Sequence, residues 1–122
     1  MVIDIISIFP EVFEPFVRTS IIGIAIEKKL AKINLHHLRD YTLDKHKKVD
    51  DKPYGGGPGM VLMVEPIARA IAQIRKGKPK SYNILLSPRG RRLSQTMAGE
   101  LARKPHILMV CGHYEGVDER VK

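Results

Sequence analysis

The chain has 122 residues, 43% hydrophobic and 28% charged, and its 21 Lys and Arg against 13 Asp and Glu leave a net charge of +8. A chain of that length makes about one domain and buries roughly two thirds of its unfolded surface, so wholesale disorder is excluded. Cys111 stands alone, which excludes an internal disulfide framework, and no apolar run reaches the length of a membrane span. The opening MVIDIISIFPEVF lacks the basic flank of a secretory signal, so a reducing, cytoplasmic compartment is expected. The basic balance favours a polyanionic partner, nucleic acid before membrane. With no Trp and only four Tyr and three Phe, a broad base-stacking platform is not expected.

In chain order, Val2–Phe9 is a β-branched run stopped by Pro10 and reads as a buried strand. A helical stretch follows, with Pro10 in its first turn and Pro15 as a break. Ser20 is placed to cap a helix over Ile21–Leu30, with Ile22, Ile26 and Leu30 on one face. Ile33–Leu38 reads as a second strand. Asp40–Met60 is polar, then glycine-rich, and is the longest expected loop. Glu65–Lys76 is helical by the spacing of Ile67, Ile71 and Ile74, and Gly77 ends it. Tyr82–Leu86 is a third strand, closed by Ser87-Pro88-Arg89-Gly90. Leu93–Lys104 carries Leu93, Met97 and Leu101 at helical spacing, and Pro105 closes it. His106–Cys111 is a fourth strand. Strands alternating with helices imply an α/β fold with a mostly parallel sheet, whose ligands gather at the carboxyl ends of the strands.

Three loops carry candidate chemistry. Ser87-Pro88-Arg89-Gly90 exposes a hydroxyl and carbonyls after strand three, or is an ordinary turn. In Cys111–Arg120, Gly112 and Gly116 permit close backbone approach, while Glu115, Asp118 and Glu119 either offer oxygen ligands to a hard cation or pair with Arg120. Cys111 beside His113 also admits a nucleophilic thiol, against the simpler reading of a small core residue. In Asp44–Met60, Lys45, Lys47, Lys48 and Lys52 supply phosphate-seeking charge. Asp50 and Asp51 offer acceptors to base edges, and Tyr54 offers a stacking ring. The glycines match neither a P-loop nor G-x-G-x-x-G. The five histidines lack zinc-ligand spacing.

The order DKHKKVDDKPYGGGPGMV, LLSPRG, VCGHYEGVDER, behind IISIFPEVFEPF and SIIGIAIEKK, closely resembles the bacterial tRNA (guanine-N1)-methyltransferase family over essentially the whole chain. The resemblance implies a SPOUT-type (trefoil-knot) methyltransferase domain acting as a homodimer. It also implies methyl transfer from S-adenosyl-L-methionine to N1 of the guanosine immediately 3′ of the tRNA anticodon. By motif position, Leu86, Ser87 and Pro88 match one cofactor loop, and Gly112, Tyr114, Glu115 and Gly116 the other. Glu115 also matches a residue tied to Mg2+. His46, Asp50, Tyr54, Gly55, Gly56, Gly57 and Gly59 match the loop that approaches the target guanosine, and Arg120 matches the arginine of VDER. The family's general base and its arginine partner fall beyond Lys122, so no catalytic residue is assigned within the chain. Residues 1–122 are then expected to be the N-terminal cofactor domain, ending before the last cofactor loop, the linker and a C-terminal tRNA-binding domain. The competing expectations are a non-catalytic basic RNA-binding α/β module and a Cys111-dependent transferase.

Overall fold

A computed structural model describes residues 1–78 and 80–121. Four strands, β1 (Val2–Ser7), β2 (Lys32–His37), β5 (Ser81–Leu86) and β6 (His106–Cys111), form one sheet in the order β2-β1-β6-β5. All three pairings are parallel, with Val2 opposite Lys32 and His106, and Ser81 also opposite His106. Two-residue strands β3 (Asp50–Asp51) and β4 (Val61–Leu62) form a separate antiparallel pair. The helices are α1 (Glu14–Arg18), α2 (Ser20–Glu27), α3 (Val64–Arg75) and α4 (Gln95–Ala102).

The pleat sorts the side chains. Ile6, Leu108 and Val110 point to one face and pack with Ile67, Ala70 and Ile74 of α3, together with Ile8, Leu38, Val49 and Leu62. Ile84 and Met109 point the other way and share a groove with Met97 and Leu101 of α4. A parallel sheet needs cover on both faces, which is why β1 and β6 read as near-continuous apolar runs.

Where element ends differ from expectation, local hydrogen bonds explain it. β1 stops at Ser7, two residues early, because the Ser7 hydroxyl accepts from the Phe9 amide and turns the chain. Ser20 is the first residue of α2 and not its cap: Thr19 holds the cap position, and its hydroxyl is committed to the Pro15 carbonyl. α2 ends at Glu27, short of Leu30, because Lys29 turns left-handed at φ +57°. Leu93 lies outside α4 because Ser94 caps it, accepting from the Met97 amide at 3.2 Å. The long loop is not structureless: a 3-10 turn at Leu38–Tyr41 opens it, and β3 pairs back onto β4.

Candidate functional site

The carboxyl ends of β5 and β6 open into a cavity of about 400 Å³. Leu86, Ser87 and Pro88 form one wall, and Gly112, Tyr114, Glu115 and Gly116 the other. The sheet register makes this meeting inevitable, since Leu86 pairs with Cys111 and the two loops leave adjacent strand ends together. The Ser87 hydroxyl accepts from the Arg89 amide at 3.2 Å, and the Ser87 carbonyl from the Gly90 amide at 3.1 Å, which fixes the first loop as a tight turn. In the second loop, Tyr114 and Gly116 both lie at positive φ, +57° and +129°. Glycine reaches that region freely, whereas Tyr114 is held there by its neighbours. Phe9 from the end of β1 meets the His113 ring edge-on at 5.1 Å, and His113 meets Tyr114 at 4.7 Å.

The long loop is stitched to this second wall. The Glu115 amide donates to the Met60 carbonyl, the Leu62 amide to Gly116, and the Asp118 amide to Leu62. Gly59, at φ +89°, lies against the Glu115 side chain, where a Cβ would stand 2.5 Å from the Glu115 Cγ. The Asp50 carboxylate, aided by burial, pushes the Tyr114 phenol above its ordinary range. At the base of the loop, Val49 is fully buried and its carbonyl accepts from the Met63 amide at 2.8 Å.

The remaining loop residues spread outward. His46 is exposed, its amide donating to an Asp44 carboxylate oxygen that also accepts from the Lys48 amide. Gly55, Gly56 and Gly57 all sit at positive φ, with open space where a side chain would be. Tyr54 is 86% exposed, and the Arg120 guanidinium lies 5.6 Å from its ring centre. Arg120 also grips Asp118 through two nitrogens, at 3.0 and 2.7 Å, and holds that carboxyl down at about 2. Lys47 pairs with Asp40 and Lys48 with Asp51, so part of the loop's positive charge is internally balanced.

Cys111 lines the cavity, but burial pushes its thiol up, away from the thiolate a nucleophile needs. Among the described residues no group of three or more His, Cys, Asp or Glu is arranged to hold a metal ion. Among the described residues no helix is long and apolar enough to cross a membrane.

Sequence reasoning missed two features. Arg39 donates to the Lys47 carbonyl at 3.0 Å and so braces the loop from below. Asp4, 1% exposed, is the centre of a buried polar cluster. Its Oδ1 accepts from Asn34 at 2.7 Å and His36 at 2.8 Å, and its Oδ2 from Lys78 at 2.8 Å and His106 at 2.6 Å. Burial alone would raise this carboxyl; Lys78, His36, Asn34 and His106 together hold it well below the carboxylate range. The available signal was an Asp inside a β-branched strand, a residue type that is buried only when partnered.

The parallel sheet, with paired loops at adjacent strand ends and a glycine-rich loop along one wall, matches a solved methyltransferase that places the fold in the SPOUT class. The structure aligns with the "Crystal structure of tRNA (m1G37) methyltransferase from Aquifex aeolicus" at TM-score 0.92 and 37% identity, over 100% of this chain and 55% of that one. A family model described as "tRNA (Guanine-1)-methyltransferase TrmD" matches residues 1–122, and the chain belongs to that family. It is 52% identical over 120 residues to a "tRNA (guanine-N(1)-)-methyltransferase" of Clostridium botulinum (strain Hall), covering 98% of this chain and 49% of that protein. Against the Carboxydothermus hydrogenoformans protein of the same name it is 50% identical over 122 residues, covering 100% of this chain and 47% of that protein. The chain thus spans about half the length of the curated relatives it matches.

Proposed function

We propose that residues 1–122 form the methyl-donor domain of an enzyme that methylates N1 of the guanosine immediately 3′ of a tRNA anticodon. The observation that supports this most is the single cavity shared by Leu86, Ser87, Pro88, Gly112, Tyr114, Glu115 and Gly116, with the glycine-rich loop stitched along one wall. Its volume suits a ligand the size of S-adenosyl-L-methionine, whose sulfonium supplies an electrophilic methyl group when bound. The Ser87 hydroxyl and the backbone at Gly112 would meet the polar edges of such a ligand, and Leu86 with Val117 its apolar ones.

Guanine N1 holds a proton at neutral pH, so a base must act before it becomes a nucleophile, and negative charge then builds on O6. No carboxylate here is assigned as that base; it belongs to the longer protein, which we propose carries a further cofactor loop and a C-terminal tRNA-binding domain. What these residues contribute is positioning. His46, Asp50, Tyr54, Gly55, Gly56, Gly57 and Gly59 present an adaptable surface to an unstacked base, and Arg120 backs Tyr54. Surface lysines and arginines meet the tRNA backbone. Glu115 supplies one carboxylate, which suits Mg2+ only as a partial ligand completed by water and substrate. A cytoplasmic homodimer fits this reading.

Calorimetry on the full-length protein with S-adenosyl-L-methionine and S-adenosylhomocysteine tests the cavity. Stoichiometric binding of both is expected; binding of RNA without either favours a basic RNA-binding module and overturns the enzyme reading. Mass mapping of methylated tRNA tests the site of transfer. A protein consisting of these residues alone is expected to transfer negligible methyl, and robust guanosine methylation by it sinks the proposed division of labour.

A further inference from the structure

The Asp4 cluster lies apart from the cavity, yet it reaches the base of the long loop. An ionised carboxylate only accepts hydrogen bonds, so the two ring nitrogens that face it, His36 Nε2 and His106 Nε2, both carry hydrogens. With Asn34 and Lys78 on the remaining positions, each Asp4 oxygen takes two donors. The Tyr41 hydroxyl meets the other His36 nitrogen, Nδ1, at 2.7 Å, so one chain of hydrogen bonds joins Tyr41 to His36 and His36 to Asp4.

Tyr41 ends the 3-10 turn Leu38–Tyr41, and Thr42 begins the loop. The turn points two side chains in useful directions. Tyr41 packs against the core and hands its hydroxyl to His36. Arg39 reaches the Lys47 carbonyl, at a residue held left-handed at φ +55°. Burial, with Asp40 and Asp4 nearby, raises the Tyr41 phenol and keeps its hydroxyl protonated.

We propose that Tyr41 is a positioning residue whose hydroxyl, locked through His36 onto Asp4, fixes the turn from which the 42–60 loop departs and so sets that loop's pose toward RNA. The last clause rests on the reading given under Proposed function; the first does not.

Tyr41→Phe keeps the ring packing and deletes only the hydroxyl, leaving His36 Nδ1 without its partner. In the full-length protein, two measurements decide the matter, with Tyr82→Phe as a control outside the cluster. Amide hydrogen exchange at Lys47 and Lys48, both hydrogen-bonded to Asp44, is expected to speed up about fivefold, the effect of one ordinary hydrogen bond. Exchange in β1 and β6 stays unchanged. The KM for tRNA rises about fivefold, while kcat and the KM for the methyl donor stay within about twofold. Uniformly faster exchange across the sheet, or no change at Lys47 and Lys48, overturns the proposal, as does loosened exchange with an unchanged KM for tRNA. Wild-type protein that binds no methyl donor and methylates no tRNA refutes the functional reading instead, and the exchange experiment still decides whether Tyr41 holds the loop.

Discussion

Gly59 and Glu115 occupy one shared space: no side chain fits at 59 while Glu115 keeps its place, because a Cβ there would lie 2.5 Å from the Glu115 Cγ and 3.0 Å from its Oε1. Gly59→Ala therefore forces a side chain into a positive-φ position and evicts Glu115 from the cavity wall. We expect a loss of about 1–3 kcal/mol in stability and at least a tenfold loss in affinity for S-adenosylhomocysteine. Gly56→Ala meets open space and should bear the backbone strain without the affinity loss. Equal donor affinity in the two variants by calorimetry contradicts this pairing.

Asp4→Asn leaves Lys78 and two histidines around a site with no anion. Breaking a buried charged pair this way removes about 3–5 kcal/mol, to be read from urea unfolding at pH 7. The pH dependence has a defined sign. The folded-state pKa of Asp4 is depressed below its unfolded value of about 3.9. Its contribution is thus complete above that unfolded value and fades as pH falls through the folded one. The stability gap between wild type and variant should shrink as pH falls below 4. A gap that widens below pH 4 would refute the assignment.

Leu108 is fully buried at the centre of the sheet, between β1 and β5. Leu108→Ala should destabilise the protein by about 2–5 kcal/mol, with the upper half expected because strands on both sides resist collapse into the void. A cost below 1 kcal/mol in chemical denaturation contradicts the packing described.

Cys111 lines the cavity with a thiol raised by burial. Cys111→Ser should leave methyl transfer within about twofold, and alkylation of the wild-type thiol at neutral pH should be slower than that of free cysteine. A hundredfold loss of transfer would restore the nucleophile.

Much of the fold was legible because the strongest elements are buried on both faces. β6 spans the residues its apolar run indicates, and α3 follows its isoleucines to within a residue of the expected ends. The cavity was legible as two loops at adjacent strand ends, since parallel pairing leaves them nowhere else to meet. The Asp4 cluster was not: its members come from positions 4, 34, 36, 78 and 106, and no local pattern joins them. Nor were β3 and β4, whose two residues each are too few to show a period. The start of α2 turned on a choice between Thr19 and Ser20, and that of α4 on Ser94 acting as its cap, neither of which composition decides.

β1 lies inside the sheet, and one of its flanks is filled from about a hundred residues further along the sequence. Val2 pairs with His106, so β1 waits for all the intervening residues before that edge closes. At ribosomal speeds of about 5–20 residues per second, the wait is roughly 5–20 s. During that interval an apolar strand with unpaired amides is exposed, a template for pairing with other nascent chains. Closure of the sheet is therefore dominated by distant contacts, and its yield in cells should respond to chaperone supply more than to the stability of the finished sheet.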